Sequence, residues 1–230
     1  MTRRLALALA TCCAAALTGA GAAAATNECR GFQVCVPVAG PWVLAPGPLE
    51  TQWQLSCPQR YIVGGLDAEL TSRALDLVFR ATLGSPVNPG ISTSSAAVFL
   101  GRLAVGRDPA ASFRPHIGCI PASGGGERVP TVQRVFPPGK PTVVRASQVA
   151  ARAGTTRRVV RTCKAGERLV AASDAIGFFA AAPPTRKLAA AVAVREQREQ
   201  GRVTLVVHAG RAIAGTRTVV QLDLTCAGGS

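Results

Sequence analysis

The sequence predicts an all-β protein: two tandem, disulfide-closed, β-sandwich-like modules behind a cleaved signal peptide. Three observations predict it. Cysteines bracket two stretches of near-equal length, Cys57 to Cys119 and Cys163 to Cys226, 62 and 63 positions apart. Each opening cysteine leads a similar phrase, Cys57-Pro-Gln-Arg-Tyr-Ile-Val-Gly-Gly and Cys163-Lys-Ala-Gly-Glu-Arg-Leu-Val-Ala-Ala. Apolar residues recur with period two before or at the bracketing cysteines, the pattern of half-buried strands. One larger β domain with brackets of matching length is the competing layout.

Residues 1–25 read as the export signal. Arg3 and Arg4 form a basic start, Leu5 to Leu17 is apolar, and Ala23 and Ala25 supply small residues before a cut at Thr26. A lipidated Cys12 is the weaker reading, because the apolar run before it is short and Thr11 is a poor neighbour. No later stretch is long and apolar enough to span a bilayer as a helix. Six cysteines then remain, an even number that reads as a disulfide set in an exported chain. The repeat selects Cys57–Cys119 and Cys163–Cys226, and leaves Cys29–Cys35. In the loop-entropy argument each long bridge contributes about 4 kcal/mol.

Residues 26–40 form an N-terminal disulfide segment around Cys29 and Cys35, with a strand starting near Val36. Residues 41–122 form the first β-module. Its turn at Pro46-Gly47-Pro48 precedes a strand with Trp53, Leu55 and Cys57 on one face and Gln52, Gln54 and Ser56 on the other. Tyr61–Gly65, then Leu75, Leu77 and Phe79, then Ala97, Phe99 and Leu103 continue it. Phe113, Ile117 and Cys119 close it on one apolar face. Residues 123–144, punctuated by Gly124-Gly125-Gly126 and Pro137-Pro138-Gly139, form a linker.

Residues 145–230 form the second β-module. Gly154-Thr155-Thr156 marks a turn, and Val220, Leu222, Leu224 and Cys226 share a closing face. Ile176 and Phe178 are set against Leu75–Phe79, and Leu188–Val194 against Ala97–Leu103. Leu188 to Glu199 has helical propensity, but Val192 and Val194 followed by Gly201-Arg202-Val203 fit a hairpin better. Aligning the opening phrases needs one gap, which sets Asp174 opposite Asp67 and Ala171-Ala172 opposite Gly64-Gly65.

Charge divides the chain unevenly. Residues 26–119 carry a net +1 and residues 120–230 a net +11, most of it arginine. Arg157, Arg158, Arg161, Lys164 and Arg168 cluster around the second opening cysteine. They form a candidate face for anionic cell-wall polymers or lipid headgroups. The lack of interleaved aromatic residues argues against nucleic acid.

No catalytic set, metal site or cofactor site is expected. His116 and His208 are the only histidines, and both read as solvent-side strand residues. No Cys-x-x-Cys pair, nucleophile elbow or phosphate-binding loop is present. Asp67 and Asp174 read as turn or strand-end residues rather than a paired acid and base. Trp53 is expected to pack against the first long bridge, with Trp42 freer. The polar stretch 84–95 is a candidate recognition loop.

The phrase Cys57-Pro-Gln-Arg-Tyr-Ile-Val-Gly-Gly, the closing strand His116-Ile-Gly-Cys119 and the phrase opening at Cys163 resemble secreted actinobacterial proteins of unknown function. Those proteins carry repeated Cys-Pro-x-Gly-x-x-Val-x-Gly-Gly β-modules. The resemblance spans most of residues 29–226 and implies architecture and export, with no catalytic residues to carry over. The expectation is therefore a secreted or cell-envelope binding module without enzymatic activity. An extracellular hydrolase and a purely structural surface domain are the alternatives.

Overall fold

A computed structural model describes residues 26–80, 95–122, 142–199 and 201–228. Residues 1–25, expected to be a signal, most of the polar stretch at 84–95, and residues 123–141 of the expected linker lie outside them. Strands dominate the described residues, with very little helix. In the first half these are β1 (Val36–Ala39), β2 (Trp42–Leu44), β3 (Thr51–Ser56), β4 (Tyr61–Leu70), β5 (Leu75–Arg80), β6 (Ala96–Leu103) and β7 (Ser112–Pro121). The second half supplies β8 (Thr142–Ala151), β9 (Thr155–Thr162), β10 (Glu167–Phe179), β11 (Val192–Glu199), β12 (Arg202–Ala209) and β13 (Arg217–Gly228). One helical turn, α1 (Arg186–Ala189), is capped by the Thr185 hydroxyl, which accepts from the Leu188 amide. Among the described residues, no helix is long and apolar enough to cross a membrane.

Pairing in the second half repeats that of the first. The order β4–β7–β2 recurs as β10–β13–β8, and β3–β6–β5 recurs as β9–β12–β11. The register repeats too. Val63 faces Cys119 with a bulge before Gly65, and Leu169 faces Cys226 with a bulge before Ala171. Val63 and Leu169 each stand at the same distance from the opening cysteine, so the phrases align without a gap. This corrects the expected alignment: Gly65 corresponds to Ala171 and Asp67 to Ser173, not to Asp174. The extra length in the second half lies further on. β10 runs to Phe179 and absorbs Ile176 and Phe178, so β11 is the counterpart of β5 and β12 that of β6. The β11–β12 hairpin is present as expected, with Glu199 opposite Arg202 and Gly201 at φ +73° in its turn.

The halves share one central sheet. β2 pairs with β7 on one side and with β10 on the other, through Val43–Gly177 and Trp42–Phe178. The seven-stranded sheet thus runs β4, β7, β1 with β2, β10, β13, β8. Successive residues of a strand point to opposite faces, and the two three-stranded sheets cover opposite faces of this one. Val220, Leu222, Leu224 and Phe178 pack against Val203, Leu205 and Val207 of β12. Val43, Ala175 and Val219 pack with Phe113, Ile117 and Cys119 against Trp53 and Phe99. Trp42, expected to be freer, is buried, and it stands opposite Phe178 of the second half.

All three bridges pair as the repeat implies: Cys29–Cys35, Cys57–Cys119 and Cys163–Cys226. Cys119 and Cys226 are fully buried, on the apolar side of their closing strands.

Candidate functional site

Gln52 and Gln54, on the face of β3 away from Trp53, meet β13 of the other half rather than open solvent. β3 is an edge strand, so its outer amides and carbonyls need partners. The side chain of Gln221 provides them. Its Oε1 accepts from the Gln54 amide at 2.6 Å and its Nε2 donates to the Gln54 carbonyl at 3.1 Å. One amide side chain closes one rung of an open strand edge. Two residues along, Gln52 Nε2 donates to Asp223 Oδ2 at 3.1 Å.

A cleft of about 410 Å³ opens beside this contact. Gln54, Leu55 and Ser56 of β3 form one wall, Ala146 and Gln148 of β8 the other, with Gln221 of β13 between them. Register explains the grouping, since Gln221 stands opposite Gln148 and Asp223 opposite Ala146. Asp223 is 2% exposed, and its Oδ1 has no hydrogen-bond partner. Burial pushes its carboxyl up to about 6, against the pull of the Gln52 hydrogen bond. The site therefore offers amides and a hydroxyl beside a carboxyl that holds its proton into mildly acidic conditions.

Asp174 lies on the opposite face of the sheet, its neighbour Leu222 in the core beneath β12. Burial, with the Glu196 charge, raises its carboxyl to about 6, and Arg198 opposes the shift. Arg198 Nε bonds Glu196, and its Nη2 donates to the Ala172 carbonyl at 2.5 Å, so this guanidinium is already engaged.

His116, read from sequence as solvent-side, is 6% exposed. The segment around Cys29 covers it: Glu28 Oε1 stands 3.7 Å from Nδ1, and Glu69 Oε1 lies 2.8 Å from Nε2. The Glu28 carbonyl lies so close over Gly65 and Gly118 that a Cβ at either would clash with it. His208 is exposed as expected, with its Nδ1 2.8 Å from the Thr156 hydroxyl. Neither ring lines the cleft.

The five basic residues singled out from sequence are divided by the strand pleat. Arg157 and Arg161 stand opposite Val207 and Val203, on the side of β9 that faces the central sheet. Arg157 Nη1 donates to the Ala150 carbonyl of β8 at 3.2 Å. Arg158 stands opposite Val206 on the other side. Lys164 lies in the turn before β10, and Arg168 opposes Ala227 at the far end of β13. Arg145 of β8 makes a two-pronged pair with Glu167, which also accepts from the Lys164 amide at 2.8 Å. These bonds hold the Glu167 carboxyl below its ordinary range.

Cys163, Glu167 and Cys226 converge within metal-ligand distance, but both sulfurs are in a disulfide and offer no thiolate. No known protein family matches this chain, and no curated protein does either.

The cleft was not legible in the sequence. Gln52, Gln54 and Ser56 alternate with apolar residues, which marks a polar face without saying what covers it. A second clue was present in Gln221 and Asp223, polar residues set within an apolar closing strand.

Proposed function

We propose that this chain is a secreted or cell-envelope protein that acts by binding, not by catalysis, and that the cleft between β3 and β8 holds its ligand. The observation that carries the reading is the lining: Gln54, Ser56 and Gln148 offer side-chain donors and acceptors without a fixed charge, beside the Gln221 amide that is bonded to the β3 backbone. Such a lining suits an uncharged ligand rich in hydroxyl or amide groups, such as a neutral saccharide segment. Three disulfides favour an oxidising compartment. The likeness of the opening phrase to secreted actinobacterial β-modules supports the same compartment. Anionic wall polymers or lipid headgroups, the partners expected of the basic half, would meet the arginines of β9 instead.

Calorimetric titration with soluble, uncharged cell-wall oligosaccharides tests the reading. Saturable binding is expected, weakened about tenfold or more in Gln148→Ala, which removes one amide from an exposed wall. Absence of heat across the series, or equal affinity in the variant, counts against the cleft.

A further inference from the structure

The repeated pairing shows what each strand edge is built to receive. In the first half, the outer edge of β2 is taken by β10, and that of β3 by the amide of Gln221. Their counterparts in the second half are β8 and β9. Among the described residues, no strand lies beside the outer edge of either.

β8 lacks the devices that usually blunt an edge. Its pairing with β13 is continuous over Thr142–Ala151, without a bulge, and it contains no proline, glycine or lysine. Its one charge, Arg145, is matched by Glu167. The other end of the central sheet is different. β4 carries a bulge, Gly64 and Gly65, and the charges of Asp67 and Glu69, and the Asn27 amide is tied to Asp67.

Charge selects the occupant. Arg157 and Arg161 stand on the side of β9 that faces the central sheet. Arg157 reaches the Ala150 carbonyl of β8, and Arg161, bonded in this structure to the Val160 carbonyl of its own strand, is exposed and can turn to a ligand there. A strand laid beside β8 would pass under both guanidinium groups, so alternate side chains should be carboxylates. At its start, Val143 and Val144 are exposed and offer apolar contact. A second copy fits poorly. Pairing β8 with β8 about a twofold axis would bring both sets of β9 arginines to one side. Head-to-tail pairing would meet the bulged, charged edge of β4.

We propose that β8 is a docking edge that accepts an extended acidic strand from another protein, adding it to the central sheet with its carboxylates on Arg157 and Arg161. This is recognition by strand addition, in which backbone bonds give affinity and alternate side chains give selectivity. It is independent of the cleft and does not require a ligand there.

The test uses the oxidised full chain and a synthetic peptide of alternating valine and glutamate, as long as β8. Hydrogen exchange is read over residues 142–151, with fluorescence anisotropy for affinity. Outer-edge amides of β8 should exchange fast in the free protein and slow when the peptide is added. Affinity should fall about tenfold or more in Arg157→Glu/Arg161→Glu, and an alternating valine–lysine peptide should not bind. Neighbouring residues of a strand direct their N–H groups to opposite edges, so one of Ala146→Pro and Ser147→Pro spares the β13 ladder. The one that keeps the parental melting temperature should lose the peptide. Four results would each overturn the proposal: slow exchange throughout β8 in the free protein, unchanged binding in the charge-reversed variant, equal binding of unstructured polyglutamate or polyphosphate, or self-association through β8.

Discussion

Asp223 and Gln221 stand two residues apart on β13 and face the same side of the sheet, yet their side chains are satisfied unequally. Gln221 uses both ends of its amide on one backbone rung. Asp223 uses one oxygen and buries the other without a partner. A carboxyl in that setting is better kept protonated. Its value is raised from 3.8 to about 6, and so is that of Asp174 on the opposite face. The sign follows from linkage. The folded state binds these protons more tightly than the unfolded state does. The stabilisation is full below the unfolded value near 3.8 and is lost as pH rises through about 6. A shift of this size corresponds to roughly 3 kcal/mol per group. Asp223→Asn keeps the Gln52 contact and removes the charge. It should raise the melting temperature at pH 7.5 relative to the parent and have little effect at pH 4. Thermal melts across that range decide it, and a variant less stable at both values would contradict the assignment. His116 holds the corresponding place in the first half, three residues before the closing cysteine. There the segment at Glu28 and the side chain of Glu69 supply partners.

Between elements, the joint of β2 with β10 is the backbone contact that makes the two halves one sheet. It is short, only two residue pairs, and works because the backbone at Gly177 can approach closely. A Cβ there would stand 2.5 Å from Pro41 Cγ and 2.8 Å from the Trp53 ring. Gly177→Val should therefore cost about 2–3 kcal/mol through overpacking. It should also shift tryptophan emission to the red as Trp42 and Trp53 lose cover. Unchanged emission and stability would show that the joint yields freely. This joint also marks where sequence reasoning stops. Alternation is a local signal, so Trp53, Leu55 and Cys57, and the run from Val220 to Cys226, were readable as strands with an inward face. What covers the outer face depends on residues far away in the chain. Gln52 meets Asp223, His116 meets Glu28, and Trp42 meets Phe178. Nothing in the neighbourhood of Trp42, Gln52 or His116 announces those partners. The misaligned Asp174 has a related cause: setting aspartate against aspartate inserts a gap in the opening phrase, and a match by phrase cannot see register.

At the scale of the whole molecule, the halves follow one another edge to edge along a single sheet rather than facing each other across a twofold axis. Val43 and Leu44 are neighbours in β2 but belong to different cores, one beneath each of the smaller sheets. Cores linked this way should unfold together. Calorimetry should give one transition whose van't Hoff and calorimetric enthalpies agree. Two separate transitions would mean that the shared sheet does not couple the halves. Replacing Cys163 and Cys226 together by alanine should lower stability by about 4 kcal/mol, and should depress that one transition rather than split it.

The order of the three bridges along the chain has a further effect. Each closes before the next opens: 29 with 35, 57 with 119, 163 with 226. A chain entering an oxidising compartment from its N-terminus presents each correct partner as the next free thiol. Sequential oxidation alone then yields the native set, and the reshuffling that interleaved bridges demand is not needed. In such a compartment the same bracketed layout that organises the halves in space would order their maturation in time.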